Sequence, residues 1–313
     1  MERWKREQEA YDSGEVWRVS NAWHSRFRHV FECPNTLKHE TLFEELIRQR
    51  APGARVLEIG CGEGLWAQRA SKWGASFVMG IDLSNSYIAK ASTYSIPGKL
   101  EFAVRNVEEG IEGNFDLIFG RAILHHIDYR MPLRKLYDSL NIGGLLLFLE
   151  PLGSNPLLRL YRIVARGAHT EDEQPFLTTD LAWLRTNFPD LQFLPFNLLS
   201  LPMGVLSSFT FASADNPVMR FCDRIDSWLA KKLPILHPQF RHCLIAIEKP
   251  PKWLILGRGG NSLGLIGRTQ FRLIKPRKTY WLLCLGAPNT RSAIANHSAF
   301  LDHGSQGDSK GTS

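Results

Sequence analysis

Arg55-Val-Leu-Glu-Ile-Gly-Cys-Gly-Glu-Gly-Leu-Trp66 is the stretch from which the fold can be read. Val56 to Ile59 is a short apolar run of the kind that forms a buried parallel strand. Gly60, Cys61, Gly62, Glu63 and Gly64 follow as a turn with glycine at every second position, and Trp66, Ala67 and Ala70 continue on a helical period. Strand, glycine turn and helix together present backbone N–H groups and a helix N-terminus to a nucleotide-like ligand. Glycine is needed because a Cβ would block both positive φ angles and the approach of a ligand to the backbone. A dinucleotide fingerprint places its third glycine where Leu65 stands, so the spacing Glu58-x-Gly60-x-Gly62-x-Gly64 points away from NAD.

Working outward, Ser76 to Ser84 reads as a second strand ending at Asp82, the position from which α/β nucleotide sites bond ribose hydroxyls. Leu100 to Glu109 supplies a third strand with Asn106 inside it, and Asn114 to Arg121 a fourth. A helix over Leu133 to Leu140 leads to a fifth strand, Leu145 to Pro151. Leu191 to Phe196 and Phe240 to Glu248 fit a sixth and a seventh strand. Strands alternating with helical segments describe an α/β, doubly wound parallel sheet.

Val56-Leu-Glu-Ile-Gly-Cys-Gly-Glu-Gly64, Gly80-Ile-Asp-Leu-Ser84, Phe115-Asp-Leu-Ile-Phe-Gly-Arg-Ala-Ile-Leu-His-His-Ile127 and Leu140-Asn-Ile-Gly-Gly-Leu-Leu-Leu-Phe-Leu-Glu-Pro151 resemble, in order and spacing, the class I S-adenosylmethionine (SAM)-dependent methyltransferase superfamily. The resemblance implies a Rossmann-like seven-stranded sheet whose last strand inserts antiparallel between the fifth and sixth. It implies SAM as cofactor, with Glu58, Gly60, Cys61, Gly62 and Gly64 at its amino acid end and Asp82 on the ribose. Leu83 and Val107 are then expected against the adenine, and Asn106 at its edge, where the family usually carries Asp; its amide carbonyl can accept the same hydrogen bond. Arg121 is expected at the methionine end or facing the substrate.

A methyl on a sulfonium is already electrophilic, so the protein has chiefly to bind, align and exclude water. For a hydroxyl acceptor a general base helps, and His126, or else His125, stands at the turn after the fourth strand. The same pair can instead serve to order that turn. Superfamily members that hold a metal there do so through acidic residues beside the histidine. Ile123 and Leu124 occupy those places, so no metal is expected. The run Glu150-Pro151-Leu-Gly-Ser-Asn155-Pro156 through Thr170 to Pro175 resembles a subset of bacterial methyltransferases and marks Glu150, Arg162, Arg166 and Glu173 as substrate contacts.

Residues 1–50 read as an N-terminal helical cap rich in aromatics, with a helix over Thr36 to Arg48 capped by Thr36. Residues 51–250 form the SAM-binding domain, with a substrate-side helical insertion over 151–240. The uncharged run Leu191 to Ala214 is long enough to span a membrane, but two prolines and several polar residues argue against that. Asn216 to Leu233 is expected to be an amphipathic helix with Val218, Phe221, Cys222, Ile225, Trp228 and Leu229 on one face. The net charge of +7 is concentrated beyond Pro251, where nine Lys or Arg face two Asp or Glu, leaving 29 of each in residues 1–250. That tail, 251–313, is expected to be irregular, and a whole-protein argument for nucleic acid does not hold. The five scattered cysteines suggest a reducing compartment without structural zinc or disulfides. With no apolar leader, the chain reads as a cytoplasmic enzyme, peripherally membrane-associated, acting on a small or lipid-like acceptor at oxygen or carbon. A catalytically silent scaffold and an NAD-linked oxidoreductase are the competing readings. The second lacks a Tyr-x-x-x-Lys pair, and oligomeric state is not encoded in any of these signals.

Overall fold

The computed structural model describes residues 2–170 and 172–250, without the side chains of residues 15–17 and 166; the basic tail, 251–313, lies outside the described residues. Four helices come first: α1 (Arg3–Ser13), α2 (Glu15–Arg26), α3 (Arg28–Glu32) and α4 (Pro34–Arg50). Strand β1 (Arg55–Ile59) leads through the glycine turn into α5 (Leu65–Lys72). Then follow β2 (Phe77–Asp82), α6 (Asn85–Ala91), β3 (Leu100–Val104), β4 (Phe115–Arg121), α7 (Arg130–Asp138) and β5 (Leu140–Pro151). The remaining elements are α8 (Pro156–Val164), α9 (Thr178–Asn187), β6 (Leu191–Phe196), α10 (Ser200–Thr210), α11 (Pro217–Lys232) and β7 (His242–Glu248).

The seven strands form one sheet in the order β3-β2-β1-β4-β5-β7-β6. Pairing is parallel from β3 to β5, and β7 runs antiparallel between β5 and β6, with Leu145 opposite Glu248 and Leu191 opposite Ile247. This is the sheet that the class I resemblance implied. Central strands covered on both faces must be apolar throughout: Val56, Leu57, Ile59, Leu117, Ile118 and Leu145 to Phe148 are nearly inaccessible. Each such side chain contributes about 2 kcal/mol through burial.

Several boundaries differ from the sequence reading. Thr36 lies inside α4, not at its cap; its hydroxyl bonds Val30 O and Asn197 Oδ1. Pro34 at the first turn pre-sets the helical φ and moves the start upstream. On α11 the buried positions are Met219, Cys222 and Asp226, while Phe221 and Trp228 are 57% and 55% exposed. The inward face is rotated because Asp226, 1% exposed, accepts the N–H groups of Leu198, Leu199 and Ser200 and the Ser200 hydroxyl. A carboxylate that satisfies the open N–H groups at the start of α10 outweighs the transfer of one more ring into the core. The uncharged run from Leu191 divides into β6 and α10, and no helix among the described residues is long and apolar enough to cross a membrane.

Candidate active site

The glycine turn lies at the carboxyl end of β1, where Gly60, Gly62 and Gly64 all have positive φ, at 65°, 51° and 83°. A Cβ on Gly60 would meet Ile123 Cδ1 at 2.8 Å, so this glycine lets the turn after β4 close against the first loop. A Cβ on Gly62 would meet nothing within 4 Å and would project into open space. Asp82, at the end of β2, accepts hydrogen bonds from the N–H of Gly62 at 2.8 Å and of Ser84 at 2.9 Å. Burial raises its pKa and these N–H groups offset part of the rise. Each Asp82 oxygen keeps a second lone pair for a ligand.

Glu58 is 4% exposed, and its Oε2 has no hydrogen-bond partner. Burial pushes its pKa well above the usual carboxylate range, partly countered by the Ala67 N–H. A buried orphan oxygen beneath a glycine turn is the condition left when a polar ligand completes the site. A cavity of about 300 Å³ is lined by Leu83, Val104 and Asn106 and by Trp4 and Gln8 of α1. Val107 is buried next to it, and the Asn106 carbonyl also accepts the Glu108 N–H. Helix α1 is fixed here by Gln8 Nε2 donating to Leu83 O at 2.6 Å and by Asp12 accepting from Ser84 and Ser86.

A second group of polar residues surrounds the turn after β4. His125 and His126 lie in a single 3-10 turn, Leu124–His126, ahead of α7, with Ala122 held at φ 52°. His125 Nδ1 is 2.8 Å from Glu150 Oε2, and Glu150 Oε1 accepts the N–H of Ile123 and Leu124. Glu150 is fully buried and therefore clamps the turn; it does not present an oxygen to a substrate. Its burial lifts its pKa to about 7, and burial lowers that of His125 well below the usual imidazole value. His126 Nδ1 is 3.1 Å from Glu7 Oε2 and its Nε2 is 3.0 Å from the Tyr11 hydroxyl. Glu7 also accepts the Thr170 hydroxyl at 2.6 Å. Glu173 pairs with Arg162 at 3.1 Å and with His169 at 2.9 Å. Burial alone would raise its pKa, but the hydrogen bond from His169 and the fields of His126, His125 and His169 bring it to about 2. Burial, with Glu173 and Glu7 nearby, raises the Tyr11 phenol.

A sequence profile described as a methyltransferase domain matches residues 25–188, just over half of the 313-residue chain. This chain belongs to the methyltransferase-domain family. Among curated relatives, the chain is 35% identical over 105 residues to trans-aconitate 2-methyltransferase of Deinococcus radiodurans, covering 33% of this chain and 40% of that one. It is 29% identical over 159 residues to a ubiquinone biosynthesis O-methyltransferase of Xanthomonas campestris, covering 46% and 66% respectively. The matches thus span two thirds or less of these relatives. Among solved structures, magnesium protoporphyrin IX methyltransferase from Synechocystis aligns with a TM-score of 0.46 at 11% identity, over 79% of this chain and all of that one. A SAM-dependent methyltransferase from Mesorhizobium loti gives 0.42 at 16% identity, over 66% and 95%.

The residues expected from sequence thus separate into two groups in the structure. Glu58, Gly60, Cys61, Gly62, Gly64, Asp82, Leu83, Asn106 and Val107 gather at the carboxyl ends of β1, β2 and β3. The Cys61 thiol is buried there and its pKa is pushed up by desolvation. His125, His126, Glu150, Arg162 and Glu173 form the other group, and the Arg166 side chain lies outside the described residues. Arg121 pairs with Glu40 of α4 at 2.5 Å. Tyr11 stands out in the sequence only as one of the cap's aromatics, and Glu7 not at all. Their i, i+4 spacing places both on one face of α1, but nothing local says what that face meets. His242, also missed, is half-buried, with its Nδ1 inaccessible and unpartnered and its pKa lowered by desolvation and by Arg241.

Proposed function

We propose that this protein transfers the methyl group of SAM to an oxygen or carbon of a small, lipophilic acceptor. The observation that carries the cofactor assignment is the unpartnered Glu58 Oε2 beneath a glycine turn that opens, at Gly62, onto free space. On this reading SAM supplies an electrophilic methyl. The backbone of residues 60–64 and Glu58 hold its amino acid end, Asp82 its ribose, and Leu83, Val104, Val107 and Asn106 its adenine. Helix α1 excludes water by lying across that cavity through Trp4 and Gln8. Any proton on the acceptor has to be managed by the corner of His125, His126 and Glu173. Calorimetry with S-adenosylhomocysteine and with NAD tests the assignment. Binding of the first alone is expected; binding of NAD, or of neither, would overturn it in favour of an oxidoreductase or a scaffold.

The lipophilic character of the acceptor is supported by the flank of the insertion. Leu157, Leu160, Ile163 and Val164 of α8 and Leu206 and Phe209 of α10 are about half to two-thirds exposed. The two helices meet through Phe27, whose ring is 6.1 Å from Phe209 and 5.5 Å from Trp23, itself 5.4 Å from Tyr161. Arg26, Arg28 and Arg159 are exposed around this flank, a combination suited to the surface of an anionic bilayer on the cytoplasmic side. Flotation with anionic liposomes is expected to carry the wild type, and the double variant Leu160→Glu/Phe209→Glu to remain behind. Wild-type protein left at the bottom of the gradient would remove the membrane contact.

A further inference from the structure

The corner beside the cofactor cavity has a donor set that the sequence order conceals. Ring nitrogens of His125 and His126 and a Glu173 oxygen lie within 4.8 Å of one another, although Glu173 comes from a segment nearly fifty residues further on. Both imidazoles already have Nδ1 engaged by a buried carboxylate, His125 with Glu150 at 2.8 Å and His126 with Glu7 at 3.1 Å. That pairing fixes each ring so that Nε2 carries the outward lone pair, the arrangement by which carboxylates orient histidines that bind metals. His126 Nε2 lies 4.0 Å from Glu173 Oε1. The other Glu173 oxygen is held by Arg162 and His169, which fixes the carboxylate's direction.

We propose that His125 Nε2, His126 Nε2 and Glu173 Oε1 bind a single divalent transition metal ion, with Zn2+ the ion their donor set suits. Two imidazoles and one carboxylate constitute a recurrent zinc set with room for an exchangeable oxygen ligand. Ligand atoms of a tetrahedral zinc ion lie about 3.4 Å apart, given bond lengths near 2.0–2.2 Å. The present spacing therefore closes on an ion with side-chain movements of roughly 1 Å, and Tyr11 gives up its bond to Nε2. Charge favours this: the carboxyl groups of Glu7, Glu150 and Glu173 surround the two imidazoles, with Arg162 on the far oxygen of Glu173. The acidic neighbours expected of a metal-binding turn are missing at Ile123 and Leu124, but the acid is supplied from another segment. In the context of the proposed methyl transfer, such an ion holds an oxygen of the acceptor and lowers its pKa, in place of a free imidazole base.

The test uses full-length protein stripped with a chelator and titrated separately with ZnCl2 and with S-adenosylhomocysteine. The expected result is a single equivalent of zinc, bound about tenfold or more weakly by Glu173→Gln and His125→Gln, with S-adenosylhomocysteine affinity unchanged. Glu150→Gln and Glu7→Gln, which act through the histidines, should weaken zinc by about 10–100-fold. Co2+ in place of Zn2+ should give visible absorption of four-coordinate intensity in the wild type and lose it in Glu173→Gln. Should the buried His125→Gln fail to fold, Glu173→Gln carries the test. Wild-type protein that binds S-adenosylhomocysteine but no zinc overturns the proposal, as does zinc bound with equal affinity by Glu173→Gln. Zinc bound as expected by protein that ignores S-adenosylhomocysteine would support the ion site and sink the cofactor reading instead.

Discussion

Replacing Gly62 and Gly60 by alanine should give opposite outcomes, although both residues sit in one turn with positive φ. At Gly62 the added methyl meets no atom within 4 Å, so the folded state loses only the cost of holding alanine at φ 51°. That cost is about 1–2 kcal/mol, or a fall in melting temperature of roughly 2–8 °C for a domain of this size. The methyl does, however, occupy the space a ligand needs to reach the backbone. S-adenosylhomocysteine affinity measured by calorimetry should therefore fall by about 100-fold, the equivalent of about 2.7 kcal/mol. At Gly60 the methyl would sit 2.8 Å from Ile123 Cδ1 and 2.9 Å from Cγ1. The turn after β4 must then shift, and stability should fall by a further 1–3 kcal/mol for overpacking. Urea denaturation and calorimetry on both variants separate the two costs. A Gly62→Ala protein that binds S-adenosylhomocysteine like the wild type would refute the assignment of the open space above the turn to the cofactor.

His125→Gln and His126→Gln should each reduce turnover by about 10²-fold or more with S-adenosylhomocysteine affinity retained; full activity in both would confine the pair to ordering the turn. Asp226→Ala should cost about 3 kcal/mol or more in urea denaturation, because three N–H groups and a hydroxyl lose their shared acceptor inside the protein. His39 donates from Nδ1 to Asn35 O and stacks on Phe196, and burial lowers its pKa from 6.5 to about 4. The unfolded chain therefore binds the extra proton first. His39 leaves stability intact above pH 6.5 and removes up to about 3 kcal/mol as the pH falls toward 4. His39→Gln should flatten the urea midpoint across that interval, and an unchanged pH profile would contradict the assignment.

The half of the fold around the glycine turn is legible because its signals are local. Val56 to Gly64 carries strand, turn and glycine spacing within nine residues, and Asp82 ends the next strand by the same logic. The order of the last two strands came from the family resemblance, since nothing in Leu191–Phe196 or His242–Glu248 states which neighbour each will pair with. The other half was not legible, for a physical reason. His126 owes its setting to Glu7 and Tyr11, more than a hundred residues earlier, and to Glu173, and no periodicity reports such a meeting. The face of α11 was misjudged for a related reason. Hydrophobicity alone favours burying Phe221 and Trp228, whereas the open N–H groups at the start of α10 require Asp226 inside. Glu150 is expected from sequence as a substrate contact and in the structure bonds the turn of Ile123, Leu124 and His125, because a carboxylate at a strand end can point to solvent or back into its own turn.

Helix α1 touches both halves. Gln8 and Asp12 bond the loop after β2, while Glu7 and Tyr11 bond His126 and Arg6 bonds Asp172. At its end Gly14 adopts φ 71°, with open space where a side chain would be. This one segment therefore covers both the cavity lined by Leu83 and Asn106 and the histidine corner. On the proposed reading, a cofactor and an acceptor would thus share one cover, and a substitution that detaches α1 would expose both to water.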